Sequence, residues 1–378
     1  MRIGAGGESA AGPNCRPADE NRKAPERRWQ SRDLRLESTI MSQSQVTSIK
    51  YAGGRRFYPY SQFLKERFGC KVYKLTVDAG FTCPNRDGTK GRGGCIYCEN
   101  SSFSPAAGSR LSVREQVDKE KRLAEGRYGA SRFIAYFQPF SNTYAPVGKL
   151  RELHDEALSV EGVVGLSLGT RPDCVPDDVL DYLEGLARRT HLWVEFGLQS
   201  SHDETLGLIN RGHTFAEFED AVRRTQGRGI FICVHLILGL PGESREMIRE
   251  TAARIAGLGI DGVKLHHLHV VRDTVLAQMH AKGGVDLLGM EEYVLLCADV
   301  LERLPPWTVL QRFVGDVQGD SLIAPKWNEG KLRVLEAIQE ELGRRGTQQG
   351  ALYSGPASPP GWADASRKSA LIAGKPRV

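Results

Sequence analysis

Six short apolar runs alternate with segments of helical periodicity, and that alternation leaves the chain few folds to choose from. The runs cover residues 72–77, 133–137, 163–168, 192–198, 231–238 and 262–270. Helices are predicted between them at about 112–125, 147–159, 176–188, 214–227 and 243–258. Apolar runs of this length suit strands buried on both faces, and strand–helix–strand repeats make neighbouring strands parallel. The predicted fold is α/β: a partial (β/α)6 TIM-like barrel with a small C-terminal helical extension. The extension holds helices at about 291–304 and 326–344, with a possible strand at 308–313. In such a barrel the loops after the strands carry the chemistry.

The expected boundaries are a disordered N-terminal extension at 1–45, the barrel at 46–290, the extension at 291–350 and a disordered tail at 351–378. Both ends are rich in Gly, Pro and charge with little apolar periodicity. The longest apolar stretch, 230–242, is broken by His235 and is too short to span a bilayer, so no membrane partner is expected. The spacing of the eight cysteines makes no disulfide framework and no secretory signal is visible, which fits a reducing cytoplasm.

Net charge is +5, yet one internal segment stands out. Lys50, Arg55, Arg56, Lys65, Arg67, Lys71 and Lys74 are interleaved with Tyr51, Phe57, Tyr58, Tyr60 and Phe63. Basic and aromatic residues together could dock a nucleic acid, or form a solvated basic helix. The tyrosines among them are candidates to guard the mouth of the barrel.

Directly after the first strand come Cys83, Cys95 and Cys98, in the pattern Cys-x11-Cys-x2-Cys. Three thiolates can hold a four-iron cluster and leave one iron open, whereas a closed cluster takes four. Gly88, Gly91, Gly93 and Gly94 allow a tight loop, and Arg86, Lys90 and Arg92 offset thiolate charge. A zinc knuckle is the alternative, but it wants four ligands, and the loop holds neither a His nor a fourth Cys.

Other polar motifs fall at strand ends. Gln138, Ser141, Asn142 and Thr143 follow the second strand, and Thr170, Arg171 and Asp173 end the third. Ser and Asn also serve turns, and Arg171 could simply pair with Asp173. Glu195, Gly197 and Gln199 share one face of the fourth strand, since side chains alternate with period two. Buried polar groups need partners, either a ligand or an internal network. Gly239 opens a Gly-Leu-Pro-Gly turn after the fifth strand, and Lys264, His266 and His267 lie on the sixth.

Together these motifs resemble the radical SAM superfamily. They are similar to its branch containing the elongator catalytic subunit, and more closely to the bacterial YhcC/YtqA-like family. The matching residues are the cysteines, Gly169 to Asp173, Glu195 to Ser200, Asn210 to Thr214, His235 to Glu243 and the pair Gln311-Arg312. Gly169 stands where the elongator motif has Glu, but fits the YhcC/YtqA-like pattern, and there is no room for an acetyltransferase domain.

The resemblance implies a barrel of the radical SAM type and two cofactors. These are a 4Fe-4S cluster on Cys83, Cys95 and Cys98, and S-adenosylmethionine, which is reductively cleaved to start radical chemistry. Gln138, Asn142, Thr170, Arg171, Glu195, Gln199 and Gly239 are the expected cofactor-binding residues. A flavodoxin or ferredoxin is the expected reductant. The expected substrate is tRNA, at a wobble uridine, with a small molecule or protein as alternative. A non-catalytic iron–sulfur sensor is the remaining reading.

Overall fold

The computed structural model describes residues 51–356, apart from 316 and 328. The disorder expected over 1–45 and beyond 356 lies outside the described residues. Seven parallel strands form one sheet in the order β1 (Val72–Val77), β2 (Arg132–Phe137), β3 (Val163–Thr170), β4 (His191–Gln199), β5 (Phe231–Leu238), β6 (Gly262–His267) and β8 (Val309–Arg312). Helices α3 (Val113–Tyr128), α4 (Val147–Leu158), α5 (Asp177–Ala187), α7 (Phe215–Thr225) and α8 (Arg245–Ala256) follow the strands. Each strand from β2 to β5 is buried along nearly its whole length, as strands covered on both faces must be.

The helix starts follow from local chemistry. Ser112 and Thr214 cap α3 and α7, each with a Glu three residues on closing a capping box. Ser244 accepts the Met247 N–H at the start of α8.

The sheet is curled into a half-barrel rather than flat. In a flat sheet six inter-strand steps would put β1 and β8 about 29 Å apart. Instead the Lys74 Nζ on β1 donates to Gln311 Oε1 on β8 at 2.9 Å. The same ammonium reaches Glu195 Oε1 on β4 at 2.6 Å, across the interior.

Six strand–helix units were expected, and the strand flagged at 308–313 becomes the seventh parallel strand, paired to β6. The strand expected over 262–270 stops at His267. Beyond it, β7 (Val270–Val271) pairs antiparallel with β9 (Leu322–Ala324) in a separate ribbon. Helix α10 (Met290–Arg303) is anchored to α8 by Asp299, which receives Arg245 Nε at 2.6 Å and Arg249 Nε at 2.9 Å. Helix α11 (Lys331–Arg344) leads to Arg345, which also reaches Asp299, at 2.8 Å. Packing continues past 350: Leu352 N–H meets Glu302 O at 2.7 Å, and Tyr353 packs edge-on against Trp307.

The basic, aromatic segment takes an unexpected place. Helix α1 (Tyr60–Phe68) packs across the N-terminal ends of the strands, where Phe63 meets Trp193 and Phe231 edge-on. Tyr51, Phe57, Tyr58 and Phe63 are all buried there or in the main core. Tyr58 O accepts from Leu310 N at 2.8 Å, so the segment also covers the edge of β8. The cysteine loop leaves the other end of the sheet. The aromatic residues are therefore spent on packing, and the tyrosines do not guard the mouth.

Candidate active site

A pocket opens at the C-terminal ends of the strands, lined by Cys83, Cys95 and Cys98 together with Glu195, His235, His266 and Arg312. The cysteine loop is tightly wound. Gly94 has φ of +77°, and a Cβ at Gly91 would lie 2.2 Å from Asn85 Oδ1. Asn85 is buried and ties the loop to the chain after β4, donating to Asn210 O at 2.6 Å.

Polar hydrogens already face the cysteine sulfurs. Arg211 Nη1 lies 3.6 Å and Asn85 Nδ2 3.8 Å from Cys95 Sγ. Arg86 donates to Cys98 O. Burial pushes the Cys98 thiol up to about 11, with the neighbouring Cys95 adding to it, while Arg86 pulls the other way. Thiolates crowded in this way repel, and bound metal would relieve that repulsion. Among the described residues no three His, Cys, Asp or Glu side chains converge as they would on a single ion. Soft sulfur donors on a glycine-rich loop, with N–H groups aimed at them, fit an iron–sulfur cluster instead.

Arg211 was not among the residues singled out, because 116 residues separate it from Cys95. Its guanidinium is buried and also donates to Gly197 O. Only a basic residue inside the 210–214 motif hinted at it.

The expected cofactor residues divide. Gln138, Thr170, Arg171, Glu195 and Gln199 line the pocket. Gln138 Nε2 donates to Phe103 O at 2.8 Å, and Thr170 Oγ1 donates at 2.6 Å to Thr143 Oγ1, whose own hydrogen goes to Cys174 O. Gln199 has φ of +81°, a backbone state rare outside glycine. Arg171 is fully engaged: Nε and Nη2 reach Asp173 at 2.8 and 2.9 Å, while Nη1 and Nη2 donate to Arg211 O and Gly212 O. Burial alone would raise the Asp173 carboxyl, but Arg171 and Lys90 hold it down at about 2.

Two expected residues do not face the pocket. Asn142 is fully buried, and its Nδ2 is divided among the carbonyls of Phe137, Pro139 and Gly169 at 2.8–3.0 Å. It knits the turn after β2, the role open to any Asn in a turn. Gly239 has φ of +83°, and a Cβ there would meet Leu288 at 2.7 Å. Its small size serves packing against Leu288.

Below the pocket lies a charged interior. Glu195 is fully buried and accepts from Lys74, Lys264, His235 Nε2 (2.8 Å) and Ser167 Oγ. Burial would raise its carboxyl, but Lys264 and Lys74 hold it well below the usual range, so it stays ionised. Burial drives the Lys264 ammonium down to about 7 despite the attraction of Glu195. His235 is held down to about 4, first by burial and then by Lys264, and is neutral. Gly197, His235, Lys264 and Arg312 are register partners on successive strands, which is why side chains distant in sequence meet here. His267 also lines the pocket, and its ring stacks on Trp327 at 3.9 Å between centroids.

This combination of an open parallel half-barrel and a three-cysteine loop at its C-terminal end defines a class. Residues 85–255 match the Radical SAM superfamily and 260–344 the Radical_SAM C-terminal domain. The YtqA protein of Bacillus subtilis, described as uncharacterized, is 42% identical over 79% of this chain and 93% of its own length. The YhcC protein of Escherichia coli is 40% identical over 76% of this chain and 93% of its own. The archaeal Elp3 of Methanocaldococcus infernus shares the fold at a TM-score of 0.55 and 18% identity, over 74% of this chain and 64% of that one. The chain belongs to the radical SAM superfamily, within its YtqA/YhcC family. Membership brings a 4Fe-4S cluster and S-adenosylmethionine as cofactors.

Among the described residues no helix is long and apolar enough to cross a membrane.

Proposed function

We propose that this protein is an enzyme that uses its cluster to cleave S-adenosylmethionine and start radical chemistry on a substrate held over the strand ends. The carrying observation is that Cys83, Cys95 and Cys98 line the same pocket as the polar barrel interior. In this reading the three cysteines hold the cluster and leave one iron open. When bound, the reduced cluster supplies the single electron that splits the carbon–sulfur bond of S-adenosylmethionine.

The chain's own residues position and shield. Arg211 and Asn85 soften the charge on Cys95. Arg171 acts through others: it fastens the carbonyls of Arg211 and Gly212, and so the chain that carries Arg211. Gln138, Thr170, Gly197 and Gln199 form the wall where the cofactor's polar groups lie. Asn142 supports that wall from behind through Gly169 O, and Gly239 makes room for Leu288. A flavodoxin or ferredoxin delivers the electron, in keeping with a cytoplasmic setting.

The proposed substrate is tRNA, at a wobble uridine. What supports it is likeness to a protein of Methanocaldococcus infernus named tRNA uridine(34) acetyltransferase, 29% identical over 45% of this chain and 32% of that one. The basic segment at α1 lends this no support, since it lies at the far end of the strands. A nucleic acid would instead meet the exposed Arg92 of the cysteine loop and Arg272 beyond β7.

The test is anaerobic reconstitution with iron and sulfide, followed by dithionite and S-adenosylmethionine, with 5′-deoxyadenosine and methionine quantified. Cleavage that disappears in Cys95→Ala supports the reading. A formed cluster that leaves S-adenosylmethionine intact, with and without bulk tRNA, would favour a sensor.

A further inference from the structure

We propose that Arg312 and His266 form a receiving site for an oxyanion, a phosphate or carboxylate, carried by the substrate. The inference rests on reading this pocket as the enzyme's active site, and adds the chemistry of what enters it.

Both residues line the pocket that the three cysteines also line. Arg312 Nη2 lies 3.0 and 3.1 Å from the two ring nitrogens of His266. Its Nε is buried with no hydrogen-bond partner among the described residues. An unsatisfied buried donor is costly, and the rest of this half-buried guanidinium faces the pocket, where an acceptor could reach it. No described carboxylate pairs with Arg312. The one acid of the interior, Glu195, is already shared by Lys74, Lys264, His235 and Ser167. Glu195 is thus spent on other partners, and an incoming anion would meet in Arg312 a guanidinium with no counter-charge among the described residues.

The shape agrees with the charge. A guanidinium presents paired N–H groups that match the oxygens of phosphate and carboxylate. Space is kept beside it by Gly315, where a Cβ would stand 3.1 Å from His266 Nδ1 and 3.3 Å from His269 Cε1. Burial first, then Arg312, keeps His266 well below its ordinary range, so it is neutral and able to donate one N–H. Arg86, Arg171 and Arg211 also line the pocket, but their donors go to Cys98 O, to Asp173 and the 211–212 carbonyls, and to Gly197 O and Cys95 Sγ; Arg312 is the lining guanidinium with a donor left to offer a second occupant.

The test uses the reconstituted protein at constant ionic strength. Inorganic phosphate and acetate are titrated separately, with thermal stabilisation read for both and 31P line width for phosphate. The expected result is saturable binding of at least one anion, weakened about tenfold or more in Arg312→Gln and partly retained in Arg312→Lys. Preference for phosphate would assign a phosphorylated or nucleotide substrate, and preference for acetate a carboxylate one. Wild-type protein that binds neither anion overturns the proposal, as does unchanged binding in a folded Arg312→Gln or in His266→Asn together with Arg312→Lys. Cleavage of S-adenosylmethionine is measured in parallel. Anion binding without cleavage would leave this site standing and remove the radical reading; cleavage without anion binding would do the reverse.

Discussion

Lys74 and Gln311 sit on the two edge strands of the sheet, and a 2.9 Å hydrogen bond from the Lys74 ammonium to Gln311 Oε1 joins them. No backbone ladder links β1 to β8 among the described residues: β1 pairs with β2 and β8 with β6, while on the outer side of β8 Leu310 N donates to Tyr58 O. Side chains thus do at this seam what main-chain bonds do elsewhere. Gln311→Leu removes the acceptor while Lys74 keeps Glu195. The expected cost is about 1 kcal/mol, read as a lower denaturation midpoint with unchanged slope.

Glu195→Gln keeps the volume of the side chain but leaves Lys74 and Lys264 without their counter-charge. Breaking a buried pair from one side costs about 3 kcal/mol. Adding Lys264→Met to that variant should recover more than half of the loss. A double-mutant cycle by urea unfolding checks this, and an additive result would mean the two side chains are not coupled.

Arg211 places an N–H toward Cys95 Sγ. Hydrogen bonds to cluster sulfurs help set the reduction potential. Arg211→Gln should still assemble a cluster on three cysteines but shift its midpoint to a more negative potential, measured by EPR-monitored redox titration. An unmoved midpoint would reduce Arg211 to a packing role.

Glu243, at the turn after β5, accepts a hydrogen bond from Ser200. Burial pushes its carboxyl up to about 7 from an ordinary 4.5, against the pull of Ser200 and His202. The folded state therefore holds a proton that the unfolded chain has released. That contribution is complete below the unfolded value and is lost as pH rises through the folded one. Lys264, held down to about 7 from an ordinary 10.5, shifts stability the opposite way as pH rises above about 7. The informative quantity is thus the difference between Glu243→Gln and wild type. It should move in favour of the variant by about 1 kcal/mol between about pH 6 and 8.

If tRNA is the substrate, its affinity must fall with salt, and charges at the correct end of the barrel must set the slope. Arg92→Ala and Arg272→Ala should each lower the log–log slope by about 1. Arg55→Ala and Lys65→Ala, at the opposite end, should leave it unchanged. Equal effects at both ends would mean non-specific binding.

Local patterns carried the strands, the helices and the cysteine loop into view, because periodicity and spacing are read over a few residues. The interior was harder. Lys74 looks like one more charge in a basic run, yet its position on β1 turns it inward to Glu195, 121 residues away. Phe63 and Tyr58 look like a nucleic-acid surface until α1 is laid under the strands. Arg211 and Arg312 acquire meaning only through register and loop return, which no single segment reveals. Asn142 sits in the right motif, but a motif does not say on which side of a turn its side chain falls.

The side-chain seam between β1 and β8 has a consequence for motion. Ladders of β2 to β5 are flanked on both sides, so their amides open only when the sheet itself does. Along the seam β1 and β8 lack that second ladder, and the outer side of β8 is held at Leu310 by Tyr58 O. In hydrogen exchange, β8 should lose protection before β4, and the barrel should breathe along this one line, widening on the wall that carries Arg312.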